Sequence, residues 1–243
     1  HHQVGRGMHG FEIVTERSDV PRIGPAQACP QVKQRYVVVA RNRQHRRAQT
    51  VHEGAGRPEL RRPYARHIVA FGDDLEPVHS SPDLMVVCVN TTRAWRHKHG
   101  EVSGLQVDRV ARLLAGAGAA QLRVVVVHQP VAVTRAEDVP NLLRGRTAAL
   151  QRWAAAGADL VMGGHIHLPY VMALHGLARP MWAVQAGTAV SSRVRRGVPN
   201  SVNLLRWGAD SSPGCCVMEQ WDFSAAEQAF VRAGLTEVRP RRE

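Results

Sequence analysis

His165 and His167 stand one residue apart in Gly163-Gly-His-Ile-His-Leu-Pro-Tyr170, directly behind the mostly apolar run Gly157-Ala-Asp-Leu-Val-Met-Gly163. A second apolar run, Leu122 to Val127, also ends in a histidine, His128, followed by Gln129-Pro130. Neutral imidazole is the commonest protein ligand for transition metals. Each run reads as a buried strand, which puts the histidine behind it at the carboxyl edge of a sheet. Two histidines separated by one residue turn toward one point only if the strand breaks into a loop. Gly163 and Gly164 are predicted to supply that break through backbone angles closed to other residues. Any one of these histidines alone is an ordinary loop residue, but the three together predict a metal site at strand ends.

Charge limits what such a site holds. Three neutral imidazoles bring no negative charge, and two divalent cations a few ångströms apart repel strongly unless carboxylates and a bridging anion lie between them. The residues by themselves permit one zinc-like ion on His128, His165 and His167, completed by water.

Val124-Val-Val-Val-His-Gln-Pro130 and Gly163-Gly-His-Ile-His-Leu-Pro-Tyr170 resemble the last two motif blocks of the calcineurin-like metallophosphoesterases. Ala186-Gly-Thr-Ala-Val-Ser-Ser-Arg193, followed by Pro199-Asn-Ser201, is similar to a segment of their bacterial branch that includes the cyclic-nucleotide phosphodiesterase-like proteins. The resemblance covers about residues 62–222. It implies an α/β fold, a four-layer αββα sandwich incomplete at its N-terminus. It also implies divalent metal ions, manganese, iron or zinc, two in the intact family and one or none here. His128 and His165 would bind one metal and His167 the other. The implied reaction is hydrolysis of a phosphomonoester or phosphodiester, cyclic-nucleotide-like esters included, by metal-activated water. Three earlier blocks of that family, Asp-x-His, Gly-Asp and Gly-Asn-His-Asp or Gly-Asn-His-Glu, are not intact. Ser18-Asp-Val-Pro21, Val37-Val-Val-Ala-Arg-Asn42 and Gly54-Ala-Gly-Arg57 echo them, each lacking an essential ligand. Gly72-Asp-Asp74 stands after the place of the third block and is a decoy. The alternative is therefore a catalytically impaired descendant that keeps the fold as a binding or scaffold protein.

Asn90 and Arg93 follow the strand-like run Leu84 to Val89 and are candidates for contact with a substrate phosphate, arginine being a good bidentate partner for one. His97 and His99 flank Lys98 in a polar loop and read as solvated.

The 243 residues, 44% hydrophobic, are enough for one globular domain with a sizeable core. No apolar run approaches the roughly 20 residues of a membrane span, and no signal peptide is recognisable. Cys29, Cys88, Cys215 and Cys216 lack metal-ligand spacing and read as reduced thiols of a cytoplasmic protein. The net charge of +12 raises nucleic acid as a partner. Lysine occurs only at 33 and 98, however, and the bias toward arginine, alanine and valine is what GC-rich codons produce. The basic stretch Arg41 to Arg47 has no interleaved aromatic side chain, so the expected partner is a small phosphate ester, with nucleic acid and membrane disfavoured.

The elements that must position these residues follow from local pattern. Residues 1–60 are weakly periodic and basic, with one strand candidate, Tyr36 to Ala40, and read as a degenerate or frame-shifted start of the domain. Residues 61–243 read as the C-terminal portion of a metallophosphoesterase domain. Ser103-x-x-Gln106 is a capping box that opens a helix with Leu105, Val110, Leu113 and Leu114 buried and an end near Gly116. A second helix is expected from about Asn141 to Ala156, burying Leu142, Leu143, Leu150 and Trp153. Strand, helix, strand, helix, strand in that order predicts a layered α/β fold with ligands at the carboxyl ends of strands. Three later strands, Met181 to Gln185, Ser201 to Trp207 and Cys215 to Asp222, are assigned to a second sheet.

Overall fold

The computed structural model describes residues 3–6, 11–17, 34–40, 72–93, 99–192, 194–207 and 214–240. In chain order its elements are β1 (Gln3–Arg6), β2 (Phe11–Arg17), β3 (Gln34–Ala40), β4 (Val78–Ser80), β5 (Leu84–Cys88), α1 (Gly104–Ala115), β6 (Leu122–Val126), α2 (Arg146–Ala155), β7 (Leu160–Gly163), β8 (Tyr170–Leu174), β9 (Met181–Gln185), β10 (Ser201–Arg206), β11 (Cys216–Ser224) and β12 (Ala229–Val238).

Continuous apolar runs make the central strands, because a strand covered on both faces has no polar side to present. One sheet has the order β4-β5-β6-β7-β9-β8, with β5, β6, β7 and β9 parallel and the edges β4 and β8 antiparallel. The other has the order β1-β2-β3-β10-β11-β12 and is antiparallel throughout. Alternation along β5 separates the two cores. Leu84, Val86 and Cys88 face the second sheet and pack in one cluster with Leu205, Trp207, Cys216 and Met218. Met85 and Val87 face the helices, in a second cluster with Val110, Leu114, Ala149 and Trp153. The described residues thus form helix, sheet and sheet layers of the expected α/β sandwich. Each fully buried aliphatic side chain in these clusters contributes about 1.5–3 kcal/mol.

The capping box at Ser103 and Gln106 forms as the sequence predicts, and Gly116 ends α1. The buried stripe is Val107, Val110, Ala111 and Leu114, while Leu105 is 84% exposed. Leu105 was misassigned because it lies in the first turn, off the i, i+3, i+4, i+7 row that the other four occupy. Helix α2 begins at Arg146 rather than Asn141. Gly145 explains the late start: its φ of +80° lies in the left-handed region, and a Cβ there would stand 2.7 Å from the Val102 carbonyl oxygen. Leu143 is buried as expected, but from the connecting loop. Trp153 is fully buried and ties the helices together, donating from Nε1 to the Val107 carbonyl at 3.2 Å. Strand β9, expected in the second sheet, pairs instead with β7. In the second sheet β3 matches the expected strand near Tyr36, whereas β1 and β2 were not expected. Cys88, Cys215 and Cys216 are buried, and Cys29 lies outside the described residues. Among the described residues no helix is long and apolar enough to cross a membrane.

Candidate metal centre

Parallel pairing of β6 with β7 sets the distance between the histidines. The register Val124↔Leu160, Val125↔Val161, Val126↔Met162 continues one step past both strands. Val127 donates to the Met162 carbonyl at 2.9 Å, and Gly164 donates to the His128 carbonyl at 2.9 Å. His128 therefore lies beside Gly164, one residue short of His165. The side chains close the gap: His165 Nδ1 is 3.1 Å from His128 Nε2, with the rings edge-to-face at an interplanar angle of 73°.

The backbone break does not come from the glycines. His165 and His167 themselves take left-handed angles, φ 72° and 54°. Such angles cost an L-residue on the order of 1 kcal/mol each and persist only where the surroundings impose them. Ile166 between them is buried, so the loop sinks its apolar residue and leaves the flanking imidazoles half-buried. The glycines serve other needs. A Cβ on Gly163 would stand 2.8 Å from Gln185 Oε1 and 3.4 Å from the Gln129 carbonyl oxygen, so glycine there allows β7, the His128 loop and β9 to close up.

Two nitrogens 3.1 Å apart suit a shared cation as well as a hydrogen bond. At a metal–nitrogen distance of about 2.1 Å they subtend roughly 95° at one ion, between the octahedral and tetrahedral angles. The donor set thus fits a divalent transition metal on His128 and His165. His167 does not complete a three-donor group: among the described residues no cluster of three or more His, Cys, Asp or Glu side chains is close enough to hold an ion. The echoes of the missing blocks at Asp19, Asn42 and Gly54–Arg57 lie outside the described residues.

Buried polar side chains surround the pair. Gln129 accepts from Thr91 Oγ1 at 2.6 Å, joining the ends of β5 and β6. Gln185 donates from Nε2 to the Gly164 carbonyl, and its own carbonyl accepts from Asn203 Nδ2 of the second sheet at 3.1 Å. Asp138, in a 3₁₀ turn Ala136–Asn141, holds Arg195 through bonds of 2.9 and 3.0 Å. These bonds hold the Arg195 guanidinium above its usual range, so it stays charged. Tyr170 donates to the Ala132 carbonyl, and burial, then the nearby Asp138 carboxylate, push its phenol upward. Sequence reasoning missed these groups because contacts such as Arg195–Asp138, 57 positions apart, leave no local spacing to read.

Asn90 and Arg93 line a cleft of about 600 Å³ together with Asp73, Asp74, Glu76 and Arg109. Asn90 Oδ1 accepts from both the backbone and the hydroxyl of Thr92. The Arg93 guanidinium donates to the carbonyls of Asn90 and Thr92 and to Gln106 Oε1. His97 and Lys98 lie outside the described residues.

No family model and no curated protein matches the sequence. Among solved structures the chain is similar to a dimetal phosphatase from Danio rerio, at 12% identity and a TM-score of 0.50, over 69% of this chain and 61% of that one. The chain thus spans about three fifths of that protein's length. A Vps29 from Entamoeba histolytica, complexed with zinc, matches at 19% identity over 46% of this chain and 52% of that one, with a TM-score of 0.29. The first likeness is one of fold: the α/β sandwich expected of a metallophosphoesterase is the sandwich found.

Proposed function

We propose that this chain is a metal-dependent phosphoesterase acting on a small phosphate ester. His128 and His165 share one divalent ion, and His167 is directed to a second. The observation that carries this reading is the 3.1 Å approach of two imidazole nitrogens at the ends of adjacent parallel strands. The sandwich shared with a dimetal phosphatase supports it. Manganese, iron and zinc all suit imidazole. A divalent ion held there lowers the pKa of a bound water and offsets charge on the phosphoryl oxygens. The chain's own part is to present both imidazoles from rigid strand ends at fixed separation, which spares reorganisation on binding. Asn90 and Arg93 remain the phosphate contacts of this reading on residue type alone, since the cleft they line also carries Asp73, Asp74 and Glu76 and none of the three histidines. On the motif resemblance we take the chain to belong to the bacterial branch with cyclic-nucleotide phosphodiesterase-like proteins. A phosphodiester is then the substrate class, and the cytoplasm the location.

A second reading, a descendant that keeps the fold for binding without catalysis, is favoured by one observation. Among the described residues no carboxylate joins the histidine pair in a donor cluster. Metal analysis of the purified protein, with hydrolysis of bis-p-nitrophenyl phosphate in added manganese, separates the two. Bound metal and turnover that both fall in His165→Ala are expected; a protein that takes up no metal and turns over no ester sinks the enzyme reading.

A further inference from the structure

The segment Gly163 to Leu168 holds two histidines in left-handed backbone, and contacts from outside the segment must keep them there. Gly164 is tied on one side, donating to the His128 carbonyl and accepting from Gln185. Ile166, between the histidines, is tied on the other: its carbonyl accepts from Arg195 Nη1 at 3.4 Å. Arg195 in turn is gripped by Asp138, at 2.9 and 3.0 Å, and by Glu137. Asp138 is 4% exposed and sits in the turn that follows the His128 loop. One cation thus links the segment after His128, the His165–His167 segment and the loop after β9. The Arg195–Asp138 pair is part-buried, with side chains 17% and 5% exposed, and desolvation offsets part of its attraction, so its placement across three segments points to a spatial task.

We propose that Arg195, anchored on Asp138, is a positioning residue that sets where His165 and His167 stand relative to His128. The proposal rests on reading those histidines as metal ligands. Long-range proton–nitrogen correlations of the imidazoles in metal-free protein, with cobalt(II) titration followed by visible absorption, test it in Arg195→Met, Arg195→Lys and Arg195→Met/Asp138→Asn.

In Arg195→Met the His165 and His167 signals are expected to move with the far-ultraviolet circular dichroism unchanged, and cobalt affinity to fall about ten-fold, as for outer-shell partners of ligands. Arg195→Lys is expected to recover part of that loss. The double variant is expected to lose no more than Arg195→Met, because Asp138 acts through Arg195. Imidazole signals and cobalt affinity at wild-type values in Arg195→Met overturn the proposal; if that variant does not fold, wild-type values in Arg195→Met/Asp138→Asn do so. Wild-type protein that takes up no cobalt defeats the ligand reading instead. The metal-free imidazole signals then still decide whether Arg195 positions the loop.

Discussion

Alanine and glycine at position 165 delete the same imidazole and leave different backbones. His165 has φ 72°, where the Cβ of an L-residue crowds the following carbonyl at a cost of about 1–2 kcal/mol and glycine pays nothing. Glycine gives back about 0.4–1 kcal/mol of this through its freer unfolded chain. His165→Gly is therefore expected to be more stable than His165→Ala by roughly 0.5–1 kcal/mol, an inversion of the usual order of the two residues. Urea unfolding of metal-free protein, followed by the summed tryptophan fluorescence to which fully buried Trp153 contributes, reads the difference. In a chain of this length it corresponds to a melting shift of about 2 °C. Ile166, which has no positive φ and is 8% exposed, is the internal control: there glycine must be the less stable replacement. Alanine at 165 equal to or better than glycine would refute the reasoning. It would mean that the loop relaxes once the imidazole is gone, so that its angle is chosen by the side chain and not imposed by its surroundings.

Gly163→Ala places a methyl 2.8 Å from Gln185 Oε1, on a side chain that is 3% exposed and already bonded to Gly164, so a loss of about 1–3 kcal/mol is expected in thermal melts. Trp153→Ala empties the space between α1 and α2 and removes the second bond to the Val107 carbonyl; about 3–5 kcal/mol should be lost in urea unfolding. Burial, with the Asp74 carboxylate adding to it, pushes the Cys88 thiol from 9.0 up to about 12. The unfolded chain then releases this proton first, so stability is full below pH 9 and falls toward pH 12, by at most about 1.4 kcal/mol per pH unit. Cys88→Ala should flatten that alkaline slope, and native Cys88 should resist iodoacetamide at neutral pH, as mass spectrometry of the alkylated protein would show.

Local chemistry was legible in the sequence and long-range pairing was not. The Ser103 capping box and the strand into His128 are written in neighbouring residues, and both form where expected. The start of α2 was misplaced because Leu142 and Leu143 continue a helical period, whereas Leu142 is extended and Leu143 and Arg144 donate to the Pro130 and Gly100 carbonyls, contacts from distant segments that no local pattern shows. Strand β9 carries no mark of its sheet, since an apolar run of four, Met181 to Val184, fits either one; it pairs with β7 on one side and β8 on the other. At the site, residue types and spacing pointed to His128 and His165, and the structure brings them together. The left-handed angles of the two histidines were invisible, because glycine was the residue expected to hold them. Asp138 and Arg195 were invisible for another reason: a charged pair drawn from two loops has no periodicity to betray it.

The parallel strands β6 and β7, joined through α2, have a consequence in time. His128 and His165 are brought together by a single strand–helix–strand crossover of moderate span, a connection that closes sooner than pairings between distant segments. On a ribosome that emits the chain from its N-terminus, both histidines and strands β5, β6 and β7 beneath them are synthesised ahead of β10, β11 and β12. The half-site on this sheet can thus take shape while the sheet opposite is still being synthesised, and an ion caught at that stage would act on the nascent chain as well as the finished protein.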